Sequence, residues 1–495
     1  MRQCGVLLHI TSLPSPCGVG TLGRDARRFL DFMEAAGLTL WQILPLGPTS
    51  FGDSPYQSFS TFAGNPYLID LELLAEARWL DRAAFPPADI HADKVDYGWL
   101  YNERFDLLRL AFLASRGELA GRLESFRADN PWLDDYALFM ALKSRFDGHS
   151  WLEWPDDIRL RHRKALEKYR RELAEDIAFN VWLQYIFFEQ WNALKADANS
   201  RGVSIIGDMP IYVSPDSSDV WSNPGLFKLT RDKRLKLVAG VPPDYFSEDG
   251  QLWGNPVYRW ERHARDGFGW WIDRMRAMSR MFDVVRLDHF IGYANYWEVK
   301  ADETTARVGK WRIGPGRALF ETIEKACPKL RLIAEDLGVV SQRVKRLVAE
   351  CGYPTMKTAT FAFGGSEDNI HLPCNAVENS VMYTGTHDNL PANGWWDSVS
   401  DEERAVALKY FGVEDCKDIA WTVIDAVFEC RSSMAVIPMQ DFLGLRAEAV
   451  MNRPGTVGGN WQWRLPDGAL TAELAARIRE CAEKYGRVPQ KATTE

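Results

Sequence analysis

No stretch of this 495-residue sequence approaches the roughly 20 consecutive apolar residues that a helical membrane span requires. The apolar run Gly5-Val6-Leu7-Leu8-His9-Ile10 is too short for a secretory core and passes directly into Thr11-Ser12-Leu13-Pro14. Cysteine is sparse and scattered: Cys4, Cys17, Cys327, Cys351, Cys374, Cys416, Cys430 and Cys481 form no CxxC and no zinc-spaced cluster with His. They read as reduced thiols of a cytoplasmic protein, with no metal expected. Basic residues are also too few and too dispersed to draw a polyanion, because 59 Lys and Arg face 68 Asp and Glu for a net charge of −9. Neither nucleic acid nor a membrane is expected as a partner, and protein partners are not legible. GxSxG, HExxH, a Walker loop and GxGxxG after the first strand are all missing, which removes serine-hydrolase, zincin, P-loop and dinucleotide chemistry. No cofactor is expected.

What remains is an ordinary globular balance, 46% hydrophobic and 26% charged, with 20 tryptophans. Short β-branched runs alternate with helical periodicity, which argues for a parallel sheet with crossover helices. The expected strands are 6–10, 39–44, 203–208, 284–288, 330–335, 358–363, 381–386 and 434–439. Eight is the number that closes a (β/α)8 TIM barrel, so the fold class is α/β with large, mainly helical insertions. Arg24 to Ala36 gathers Phe29, Leu30, Phe32 and Met33 on one face before Gly37, while Ser341 opens a later helix and Pro315-Gly316 precedes another. The barrel is assigned to 1–46 and 201–466, with insertions at 47–200 after strand two, 214–280 after strand three and 389–430 after strand seven. A C-terminal helix and tail occupy 467–495.

Several expected strands end in ionisable groups: Asp208, the Arg286-Leu287-Asp288-His289 run, Glu335-Asp336 and His387-Asp388. Strand ends at one mouth of a barrel converge on its axis, and like charges gathered there destabilise a fold unless chemistry uses them. Paired carboxylates without metal or thiol suit glycoside cleavage, in which one acid is protonated and the other ionised. Arg286, two residues before Asp288 on the same face, is expected to keep Asp288 ionised. Glu335 has no adjacent cation in sequence and is the better acid. Adjacent residues on a strand point to opposite faces, so His289 and His387 need not both face a substrate.

Seven collinear motifs resemble the amylomaltase (4-α-glucanotransferase) family over nearly the whole chain. They are Asp53-Ser54-Pro55-Tyr56-Gln57-Ser58-Phe59-Ser60 with Ala63-Gly64-Asn65-Pro66; Ile206 to Val213; Ala239 to Phe246, running on into Gly250-Gln251-Leu252-Trp253-Gly254-Asn255-Pro256; Arg286 to Phe290; Ala334 to Gly338; Tyr383 to Asn389; and Gly459-Asn460-Trp461-Gln462-Trp463-Arg464. The resemblance implies a nucleophile at Asp288, a general acid/base at Glu335 and a transition-state stabiliser at Asp388. It implies that Asp208, Arg286 and His387 hold the transferred sugar of a maltooligosaccharide or α-1,4-glucan over Tyr56, with Gln251 and Trp253 on the acceptor side. Ser54 and Asn460 join the substrate-binding set from their motifs. Retention implies carboxyls about 5 to 5.5 Å apart.

The chain departs from the family pattern at Ile291-Gly292-Tyr293, where Arg-Gly-Phe is usual, at Leu390-Pro391 in place of Asp-Thr, and at Thr355 in place of Gly. An α-glucan hydrolase on the same barrel and a catalytically silent glucan-binding protein are the alternatives that these residues leave open.

Overall fold

The computed structural model describes residues 2–86, 93–243, 247–338, 340–416 and 418–489. Positions 244–246 of the Ala239 to Phe246 motif and the tail after 489 lie outside the described residues. Twelve strands follow in chain order: β1 Gln3–Leu7, β2 Leu40–Gln42, β3 Ser204–Met209, β4 Leu237–Val241, β5 Gln251–Pro256, β6 Val284–Leu287, β7 Asn295–Lys300, β8 Gly309–Ile313, β9 Arg331–Ala334, β10 Thr355–Thr358, β11 Ser380–Tyr383 and β12 Met434–Pro438.

Eight of them close a barrel in the order β1-β12-β11-β10-β9-β6-β3-β2, and every pairing in it is parallel. The interior is filled by Leu7, Leu40, Ile206, Val284, Ile333, Met356, Val381 and Val436, one or more from each strand. This interior is a packed core, as expected of a barrel of this size. Gly5 is required where it stands, because a Cβ there would lie 2.4 Å from the Cβ of Leu40.

The helix signals correspond to real caps. Arg24–Ala36 buries Phe29, Leu30, Phe32 and Met33, and Gly37 ends it at φ 72°, a conformation that costs glycine little. Ser341 accepts a hydrogen bond from Val344 N at the start of Gln342–Cys351. Between β2 and β3 the chain is mostly helical, ending in the 27-residue helix Ala174–Ser200. No helix among the described residues is long and apolar enough to cross a membrane.

Two expectations need correction. The sixth barrel strand is Thr355–Thr358, not 358–363, which opens as a 3-10 turn. Met356 faces the interior from this strand, while Lys357 reaches Asp336 at 3.3 Å, so a strand carrying a buried lysine escaped the apolar pattern. The first strand likewise starts and ends three residues early. A second sheet was also unforeseen: β5-β4-β7-β8 is antiparallel and places Gln251 and Trp253 on its β5 strand.

Candidate active site

Register decides which charges meet. On neighbouring strands β3 and β6, Asp208 lies opposite Arg286, and both point into the barrel mouth. Arg286 is only 2% exposed, and its Nη1 donates to both carboxylate oxygens of Asp208 at 2.7 Å. The same nitrogen reaches Asp288 Oδ1 at 3.1 Å, and Nη2 pairs with Glu335 Oε2 at 2.8 Å. Its Nε points to Met356 Sδ at 3.3 Å. One guanidinium thus holds three carboxyl groups. Charges so deeply buried persist only when paired and hydrogen-bonded, and Arg suits the task because its donors form a rigid fork.

The expected division of charge is reversed. Glu335 does have a cation, and it also accepts the backbone N–H of His289 at 2.7 Å. Burial opposes its ionisation, yet Arg286 and that N–H prevail and lower its pKa. Asp288 receives a single, longer contact from Arg286. Burial first, and then the negative charge of Glu335, push its carboxyl well above the usual range. Both acids stand on the two terminal nitrogens of Arg286, which sets their carboxyls side by side. Of the two acids, Asp288 is therefore the one that more readily takes a proton.

Across the mouth, the Tyr56 hydroxyl donates to Asp208 Oδ2 at 2.6 Å and meets His387 Nε2 at 2.8 Å. The Tyr56 and His387 rings stack with centroids 5.4 Å apart, and Trp461 lies 5.8 Å from Tyr56. Burial keeps Tyr56 protonated far above its ordinary pKa. Asp388 is the most open of the acids, with 42% of its side chain exposed; Asn452 Nδ2 donates to it at 2.6 Å, and His387 Nε2 lies 3.4 Å away.

The remaining expected residues divide into two groups. Trp253 borders the site, its ring edge-on to His289 at 4.8 Å, and Gln251 Oε1 accepts the Trp253 indole N–H at 3.1 Å. His289 takes a left-handed φ of 47°, which turns its backbone N–H toward Glu335 and its ring toward Trp253. Ser54 acts within its own turn, where its hydroxyl accepts the Tyr56 N–H at 3.2 Å. Asn460 is not brought to the acids by any contact: its amide bonds to Arg453 N and to Thr456, shaping the loop that presents Trp461. Asn452 was not singled out from the sequence, and nothing local marks it, since its partner Asp388 is 64 residues away. Of the departures from the family pattern, Ile291 is buried beside Gly338, and Leu390 and Pro391 wall a cavity behind His387.

A family model described as 4-alpha-glucanotransferase matches residues 8–471. The chain belongs to the 4-α-glucanotransferase family. Among its relatives in this family, the 4-alpha-glucanotransferase of Clostridium butyricum is 45% identical over 97% of this chain and 100% of its own length. That of Thermus thermophilus is 46% identical over 98% and 99%. The amylomaltase of Streptococcus agalactiae, solved in complex with acarbose, superposes with a TM-score of 0.96 at 42% identity, covering 99% of this chain and all of that one. The amylomaltase of Corynebacterium glutamicum, at 20% identity and a TM-score of 0.78 over 99% of this chain and 75% of its own, shares the fold. As a 4-α-glucanotransferase, the chain is a glycosyltransferase acting on α-glucans, which sets aside the silent-binder and hydrolase alternatives.

Proposed function

We propose that this 4-α-glucanotransferase works by double displacement, with Asp288 as nucleophile, Glu335 as general acid/base and Asp388 as stabiliser of the charged transition state. The observation that carries this reading is the placement of Asp288 and Glu335 side by side on the fork of Arg286. Carboxyls held side by side on one guanidinium suit retention through a covalent intermediate rather than inversion, which needs a wider gap for a water. The first step requires one proton on this pair, carried by Glu335. As the glycosidic oxygen of an α-1,4-glucan enters beside Glu335, that carboxyl leaves Arg286 and takes the proton. Arg286, still paired with Asp208, then holds Asp288 ionised.

Asp288 attacks the anomeric carbon, the glycosidic C–O bond breaks, and the Glu335 proton goes to the departing 4-oxygen. Glu335 then accepts a proton from the incoming 4-hydroxyl of a second glucan, whose oxygen displaces Asp288. Tyr56 and Trp461 offer aromatic faces beneath the sugar, and Asp208 and His387 offer hydrogen bonds to it. Gln251 and Trp253 serve the acceptor side, and Gln57, which reaches Asn255 at 3.4 Å, ties the Tyr56 loop to β5 over the cleft. Such a cover favours a sugar acceptor over water. Maltooligosaccharides are the substrates on this reading and the cytoplasm is its location, supported by eight free cysteines.

Glu335→Gln tests the assignment. It should cripple transfer from maltotriose, yet relatively spare the first step on α-glucosyl fluoride, whose leaving group needs no proton. Equal loss on both substrates removes Glu335 from the acid role.

A further inference from the structure

We propose that His9 is a positioning residue for the transfer reaction: its Nε2–H serves the Nδ1 lone pair of His387 across a small cavity and so fixes the His387 tautomer that carries its proton on Nε2, the ring nitrogen beside Tyr56 and Asp388 at the barrel mouth. The proposal rests on the reading above that His387 binds the glucan.

Donor and acceptor accounting leads to it. The Tyr56 hydroxyl has one proton, and it goes to Asp208, which can only accept. At 2.8 Å, His387 Nε2 must therefore donate to Tyr56, and Asp388 Oδ2, a second acceptor, lies 3.4 Å from the same nitrogen. His387 Nδ1 then carries the lone pair, and it is buried without a hydrogen-bond partner among the described residues. An acceptor left so in a low-dielectric interior is costly and leaves the tautomer undefended.

His9 has the complementary arrangement. The backbone N–H of Leu44 donates to its Nδ1 at 3.2 Å, so the ring proton lies on Nε2. The ring is neutral, since burial, with His387 as the lesser cause, pushes its pKa down to about 3. Both histidines line one cavity, walled by Leu8, Leu44, Leu390, Pro391 and Pro438. Its volume is about 20 Å³, on the measure by which one water needs roughly 10–15 Å³. The hydroxyls on its wall are already engaged, Ser12 with Trp463 O and Thr386 with Asn389 Oδ1. His9, with its donor on Nε2, and His387, with its unpartnered Nδ1, thus line one chamber whose volume admits a single bridging water.

The two amide side chains separate the two ends of His9. Asn keeps an acceptor near Nδ1 for Leu44 and removes the distal donor, whereas Gln keeps the distal donor. The experiment is ¹⁵N spectroscopy of the histidine-labelled full-length protein, with His387 assigned by its loss in His387→Gln, alongside transfer kinetics on maltotriose. In the wild type, His387 should be protonated at Nε2 alone. In His9→Asn, protonation of Nδ1 should appear and kcat/KM should fall about tenfold, the factor set by one net hydrogen bond. In His9→Gln, the wild-type spectrum should return with kcat/KM within about threefold. An unchanged His387 spectrum in His9→Asn, or a wild-type ring protonated at both nitrogens, overturns the proposal; the second result is decisive even if a variant fails to fold. A shifted tautomer with undiminished transfer would uphold the positioning and overturn the sugar-binding role of His387.

Discussion

Replacing Arg286 by Met removes the one cation shared by Asp208, Asp288 and Glu335 while keeping an unbranched side chain against Met356. At separations of 2.7 to 3.1 Å, each pairing has a gross attraction of about 6 kcal/mol at an effective dielectric near 20. Desolvation of the ions offsets much of this, and removing one partner of a buried pair typically costs ~3–5 kcal/mol net. Against a total stability of ~5–15 kcal/mol, the variant should fold but be weakened. The pH dependence follows from the signs. In the wild type, the lowered pKa of Glu335 contributes stability that is present above the usual carboxylate range and lost as pH falls through the folded value. In the variant, all three carboxyls lack their counter-ion and the folded pKa values of Asp288 and Glu335 rise, which removes stability above the unfolded value and restores it on acidification. The deficit should therefore be ~3–5 kcal/mol at about pH 7.5 and distinctly smaller at about pH 5, read from urea denaturation at both. A deficit under about 1 kcal/mol at neutral pH, or one equal at both pH values, would refute the account of Arg286 as the common counter-ion.

Asp288→Asn removes a carboxyl whose ionisation burial and Glu335 already resist; it should melt no lower than the wild type at neutral pH while mass spectrometry finds no glycosyl-enzyme adduct. Trp253→Ala strips the aromatic cover beside His289 and should raise reducing ends released from maltotriose, which the wild type keeps nearly constant; no rise would deny Trp253 a part in excluding water. Gly5→Ala drives a Cβ to 2.3 Å from Leu40 O inside the barrel and should lower stability by ~1–3 kcal/mol or more in urea titration.

The sequence by itself determined what depends on near neighbours. The existence of eight barrel strands, the 24–36 helix with its glycine stop and the Ser341 cap follow from periodicity and capping, which act within a few residues. The acids at strand ends were legible because strand ends in a barrel converge, and their motifs carried the family. Tertiary structure alone decided what depends on register and on approach through space. Glu335 had no cation in sequence, yet β9 lies beside β6 and brings it to Arg286, which lowers its pKa where the sequence led one to expect the more easily protonated acid. Asn452 reached Asp388, Tyr56 linked Asp208 to His387, and His9 came to share a cavity with His387, each across tens or hundreds of residues. Conversely, Asn460 belonged to a family motif but turned its amide into its own loop. Charge state in a buried site is set by the sum of all nearby dipoles and ions, and that sum exists only once the chain has closed around it.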